Sequence, residues 1–237
     1  LRLNKKITKE SIKGSESMSK LSEIFNREID LIKKDENTLG IVLVGSSKDL
    51  DFEKDIKIND IDLFIFTKEQ QKDQIRINKV ISSIEFDLNY ISKQGCNNFI
   101  NKTEYFFLKI NDGKIIYDTC DYAKDILKKC KEAYEKGPEK LSQEEKTNKM
   151  IEINSEIQKL KSKDGFEDFE YNFFVNIALR DLIIMYYIKN DKWVPKDKKL
   201  IKSIKKDDKN IYNILKNESF DKYEMLLNIY KYIQKCP

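Results

Sequence analysis

Histidine is absent from all 237 residues of the chain. That excludes a Ser-His-Asp triad, a Cys-His pair, histidine-ligated zinc and any imidazole base. An enzyme built from this chain must work with carboxylates, lysine, tyrosine, cysteine or a bound metal. Its metal would be a hard cation held by oxygen, such as Mg²⁺, rather than zinc. Arginine is also scarce: Arg2, Arg27, Arg76 and Arg180 stand against 41 lysines. With abundant Ile and Asn and three alanines, this reads as the codon bias of an AT-rich genome. Lysine abundance therefore says little, and each arginine is the more informative for its rarity. The cysteines Cys96, Cys120, Cys130 and Cys236 show no Cys-x-x-Cys spacing, which argues against a metal knuckle or redox pair and suits a reducing cytoplasm. No apolar run reaches the length of a membrane span, and residues 1–20 are polar, without a signal-peptide pattern. Neither charge sign dominates: 45 basic against 41 acidic side chains leave +4, so the whole chain carries no nucleic-acid footprint.

What is present is a folding composition, 40% hydrophobic and 11% aromatic, beneath a heavily charged surface. The first half alternates helix and strand signals. Met18, Leu21, Phe25 and Ile32 predict an amphipathic helix over Ser17–Lys34. Leu39–Val44 is a short apolar run ending at Gly45, and Ile61–Phe66 reads as a second strand. Lys68–Val80 is expected to be helical. Ile84–Ile91 alternates strictly, with Glu85, Asp87 and Asn89 on the polar face. Tyr105–Ile110 and Lys114–Tyr117 flank Asn111-Asp112-Gly113, a hairpin signal. The second half reads as helix alone: Asp121–Glu135, stopped by Gly137-Pro138; a helix opened by the capping box of Ser142 and Glu145; the nearly all-apolar Phe169–Ile188, expected to be buried on every side; and short amphipathic helices after Trp193. The expected fold class is α/β (α+β): a mixed-sheet domain over residues 1–120, then an all-helical domain over 121–237.

The chemistry concentrates after the first strand. Ile41–Val44 runs into Gly45-Ser46-Ser47, and thirteen residues separate Ser46 from Asp60-Ile61-Asp62-Leu63. Asp60 and Asp62 fall on one strand face while Ile61 and Leu63 face the core. Two carboxylates so close repel each other unless a cation sits between them. Adjacent strands lie about 4.8 Å apart, so if the strand carrying Asp87 is a neighbour, three carboxylates converge. That is a geometry for two Mg²⁺ ions positioning a triphosphate for in-line displacement. Gly45-Ser46, with or without a helix starting there, offers backbone N–H groups to phosphate oxygens. Bare acid-x-acid pairs abound here, Asp49/Asp51 and Asp168/Glu170 among them. Asp60/Asp62 differs by its setting inside an apolar strand that follows an apolar-Gly-Ser element.

In these residues the chain resembles the DNA-polymerase-β-like nucleotidyltransferase superfamily. The likeness spans residues 39–118 and includes Gly113-Lys114-Ile115-Ile116-Tyr117-Asp118. It implies Mg²⁺-dependent transfer of a nucleotidyl group from an NTP, ATP foremost, with release of pyrophosphate. By resemblance Gly45, Ser46 and Ser47 match the phosphate-holding turn, Asp60 and Asp62 the paired metal ligands, and Asp87 the third carboxylate, with Glu85 on the same face as a rival for that place. A helical domain after the catalytic one is similar to the aminoglycoside- and lincosamide-type members, which modify a hydroxyl of a small-molecule antibiotic.

Asp168, Asn172, Asn176 and Arg180 form a polar stripe at every fourth residue of the apolar helix. Arg180 is a candidate for a nucleotide phosphate; the plainer alternative pairs it with Asp181 or another acid. An acceptor base would be a carboxylate, with Glu167, Asp168, Glu170 and Asp181 unranked. The resulting expectation is a cytoplasmic enzyme that binds an NTP and a small hydroxyl acceptor, without membrane or nucleic acid. Its oligomeric state, a homodimer included, is left open. Its rivals are a toxin-like or regulatory member acting on protein or tRNA, and a module that binds a nucleotide or partner without turnover.

Overall fold

The computed structural model describes residues 20–54, 58 and 60–235. Contacts divide the chain into two units: residues 1–102 with 109–131, and residues 103–108 with 132–237.

The first unit is built on a five-stranded mixed sheet: β1 (Thr38–Val44), β2 (Asp60–Thr67), β3 (Gln74–Ile81), β4 (Ile84–Ser92) and β5 (Lys114–Asp118), in the order β3-β4-β2-β1-β5. β4 returns between β3 and β2 and runs parallel to β2; the other pairings are antiparallel. Helix α1 (Lys20–Lys33) lies within the span expected for it, of which residues 17–19 fall outside those described. Its Leu21, Ile24, Phe25, Ile29 and Ile32 pack against Ile41, Leu43, Ile61, Leu63, Phe86 and Leu88. Each such fully buried aliphatic side chain contributes about 1.5–3 kcal/mol. Buried Glu28 on α1 is neutralised by Lys79 of β3.

The opposite sheet face is divided. Along β2, the side chains of that parity are Asp60, Asp62, Phe64 and Phe66. Phe66 is buried and meets Tyr122 edge-on at 6.0 Å. Helix α4 (Tyr122–Glu135) approaches so closely that a Cβ on Gly40 would lie 2.8 Å from that of Ala123. The apolar end of the face is thus covered, whereas at the other end Asp60 is exposed and Asp62 partly so among the described residues.

Two expected elements are corrected. The stretch expected to be helical over Lys68–Val80 is instead the edge strand β3, joined to β4 by Ser82-Ser83 with both residues at positive φ. A two-residue turn of that hand suits the twist of a hairpin, and pairing with β4 from Gln74↔Ile91 to Ile81↔Ile84 overrides a weak helical preference. After helix α2 (Lys93–Asn101), the expected strand over Tyr105–Ile110 is a short helix, α3 (Tyr105–Leu108), followed by a 3₁₀ turn (Lys109–Asp112). Gly113 accordingly closes that turn, donating its N–H to the Ile110 carbonyl, and leads into β5 rather than capping a hairpin.

The second unit is helical: α5 (Gln143–Lys159), α6 (Asp168–Lys189), α7 (Asp197–Asp207), α8 (Lys209–Leu215) and α9 (Lys222–Lys235). The Ser142–Glu145 capping box is present in full. The expectation that the apolar helix is buried all round holds only for its second half. Leu182, Ile183, Met185, Tyr186 and Tyr187 are core, but Phe169 is 76% exposed, and Phe173, Phe174 and Ile177 are exposed as well. α5, α9 and the other helices suffice to cover one stripe of the first turns, on Tyr171, Val175 and Ala178. Trp193 stacks on Tyr134 and Tyr105, at ring distances of 5.6 and 5.3 Å, and donates its indole N–H to the Tyr134 carbonyl. Among the described residues, no helix is long and apolar enough to cross a membrane.

Candidate functional site

β1 delivers the chain to Gly45, whose φ of +78° turns it away from the sheet. A Cβ on Gly45 would lie 2.3 Å from Oδ2 of Asp62, so the left-handed backbone favours glycine here and any side chain would push the carboxylate aside. The turn exposes Gly45 and Ser46. Ser47 faces inward: it is buried, its hydroxyl donates to the Val44 carbonyl, and its own carbonyl accepts the Leu50 N–H. The helix start considered after Gly45-Ser46 does not form; residues 45–49 are turn and bend.

Opposite this turn, Asp60 and Asp62 begin β2. β2 and β4 are direct parallel neighbours, with Asp62 opposite Asp87 and Asp60 opposite Glu85. Paired positions of adjacent strands share a face, so Gly45, Asp60, Asp62, Asp87 and Glu85 meet at one corner of the sheet. Asp60 is exposed, whereas the Asp87 side chain is only 14% exposed.

Asp87 is already engaged. Arg76 on β3 donates through Nε and Nη2 to its two oxygens at 2.7 and 2.6 Å, and Asn89 Nδ2 adds a third bond at 3.1 Å. The hydrogen bonds and charge of Asp87 hold the Arg76 guanidinium above its ordinary pKa, and the charges of Asp62 and Glu85 add to this. Glu85 accepts from Asn78 at 3.2 Å. At the other rim, Lys48 is bound to the Asp112 carboxylate at 2.5 Å and to the Asp112 carbonyl at 3.1 Å.

The fit of a metal follows from these contacts. Asp60 and Asp62 offer hard oxygen donors on alternate positions of one strand, the chemistry that suits Mg²⁺. With Asp87 on Arg76, no three acidic or cysteine side chains are gathered for a metal among the described residues. A divalent ion therefore fits the β2 pair, not a ready-made three-carboxylate cage.

Arg180 belongs to the helical unit, where it pairs with Asp181 at 3.0 Å and Asp197 at 3.1 Å. Among its stripe neighbours, Asn172 accepts a hydrogen bond from Lys222. That unit also holds a cavity of about 520 Å³ walled by Ile153, Leu160, Phe166 and Phe174, with Glu152 and Asp181 in its lining. Burial pushes the Cys96 and Cys130 thiols up to about 12; both are neutral near pH 7 and act as small apolar side chains.

Arg76 is the site residue to which the sequence reading gave no role. For Arg76 a signal existed, an arginine in a chain that otherwise uses lysine.

No protein-family model matches the chain, and neither does any curated protein. Among solved structures the chain is similar to a nucleotidyltransferase-like protein from Exiguobacterium sibiricum. The match has 13% identity and a TM-score of 0.44, and covers 93% of this chain and 73% of that one.

Proposed function

We propose that the chain is a nucleotidyltransferase that moves a nucleoside monophosphate from an NTP, ATP foremost, to an acceptor hydroxyl. The observation that carries this reading is the register of β2 and β4, which sets Asp62 directly across from Asp87 at the end of β1 where Gly45 turns. The Gly45-Ser46 turn receives the phosphates, its exposed backbone being free of any bulky side chain. Asp60 and Asp62 hold Mg²⁺, which when bound neutralises triphosphate charge and orients the α-phosphate. The acceptor oxygen bonds to the α-phosphorus, the bond to the bridging oxygen breaks, pyrophosphate leaves, and the hydroxyl proton passes to a carboxylate or to water.

The test is transfer of label from α-labelled NTPs in the presence of Mg²⁺. The acceptor panel contains small hydroxyl compounds, tRNA and protein. Asp62→Asn is expected to lower transfer at least ~100-fold. Transfer that survives the substitution would sink the assignment. NTP binding without transfer to any acceptor would favour a binding module instead.

A further inference from the structure

The acidic corner contains a cation of its own. Arg76 reaches across from the edge strand and takes both oxygens of Asp87 in a fork, at 2.7 and 2.6 Å. Arg76 stands opposite Asn89 in the β3–β4 register, and Asn78 stands opposite Asp87; the long arginine side chain spans this diagonal. The choice of residue is informative. The chain has 41 lysines and four arginines, yet here it uses the one side chain whose planar fork engages a carboxylate through two parallel bonds. A lysine ammonium would supply the charge at one point and leave the second oxygen open. Asn89 closes the remaining approach to Oδ1. A second divalent ion shared by Asp62 and Asp87 would need these oxygens and would lie against a guanidinium of like charge.

Resting on the reading that Asp60 and Asp62 hold a divalent cation, we propose that Arg76 takes the place of a second metal, so that the site binds one divalent ion rather than two. In this arrangement Arg76 is a positioning residue. It holds Asp87 in a fixed orientation beside Asp62 and supplies permanently the positive charge that a second ion would supply on binding. The acidic corner then holds one exchangeable and one built-in cation. Its occupancy by metal saturates in a single step.

The test counts bound Mn²⁺ per chain by the EPR signal of the free ion, using the full chain without nucleotide. One ion is expected for the native protein and two for Arg76→Ala. Arg76→Gln, which keeps side-chain length and removes the charge, should also bind two. Arg76 is 60% exposed on an edge strand, so both variants should keep the native circular dichroism spectrum and melting behaviour. Two ions in the native protein, or one in both correctly folded variants, would overturn the proposal. No bound Mn²⁺ in any of the three proteins would instead remove the metal reading of Asp60 and Asp62 on which it rests. Asp62→Asn distinguishes these cases, since it should abolish the single native site.

Discussion

Gly45 is where one residue bears most directly on the site. Its left-handed φ and its contact with Asp62 are separate demands, and an alanine violates both. Left-handed backbone alone costs a non-glycine residue about 1–2 kcal/mol. The added methyl must also displace the Asp62 carboxylate. Gly45→Ala should therefore lower stability by about that amount in urea titration and weaken Mn²⁺ binding more than its stability loss explains. Equal Mn²⁺ affinity in the two proteins would show that Asp62 does not hold the ion. Asp62 and Asp87 were legible in the sequence because period-2 alternation fixes which residues share a face. Arg76's partner was not, because a side chain that spans a diagonal between strands leaves no trace in spacing.

The elements explain why the carboxylates sit at an open corner. β2 carries Asp60, Asp62, Phe64 and Phe66 on one face, and that gradient from charged to aromatic decides which end a helix covers. β3 contributes Arg76 to this side and Lys79 to the other, where Lys79 neutralises Glu28 of α1. Glu28 is 3% exposed. Removing its partner leaves a buried carboxylate poorly compensated, at a cost of about 1–3 kcal/mol. Lys79→Ala should show that loss in its denaturation midpoint, and adding Glu28→Gln should recover part of it. If the single variant is as stable as the native protein, β3 is not tied to α1 through this pair. The helical expectation for this stretch overlooked the alternation of Gln74-Ile75-Arg76-Ile77-Asn78, which is short and is reversed at Lys79-Val80. Hydrogen bonding to β4 decides it. The 105–110 segment failed in the opposite way: aromatic and β-branched residues suggested a strand, but it closes local turns as a short helix and a 3₁₀ turn.

The molecule has two cores, one of α1 and the sheet, the other of α5 to α9. Each buries its own apolar side chains, so each unit has the means to unfold on its own. Ile61 lies wholly in the first core. Ile61→Ala should destabilise the unit that contains it by about 2–5 kcal/mol and leave unchanged the transition reported by Trp193, the single tryptophan, in the helical unit. Tryptophan fluorescence against far-ultraviolet circular dichroism measures this; a shift of both transitions together would mean that the units unfold as one. The exposed Phe169, Phe173 and Ile177 are the main departure at this scale from what composition suggested. Hydrophobicity along a helix says how much surface is apolar, not how many neighbours are there to cover it.

The sequence by itself determined the strands that lead to Gly45 and carry Asp60, Asp62 and Asp87, the face shared by Asp60 and Asp62, the capped helix at Ser142 and, through the missing histidine, the exclusion of imidazole chemistry. These follow from local periodicity and residue type, which depend only on near neighbours in the chain. Tertiary structure alone decided that β4 lies beside β2 and that Arg76 rather than an open oxygen pair meets Asp87. It also decided that the first half of α6 keeps an aromatic face exposed. Each of these depends on which distant segment arrives next to which, and that is settled by strand pairing and core packing over the whole chain.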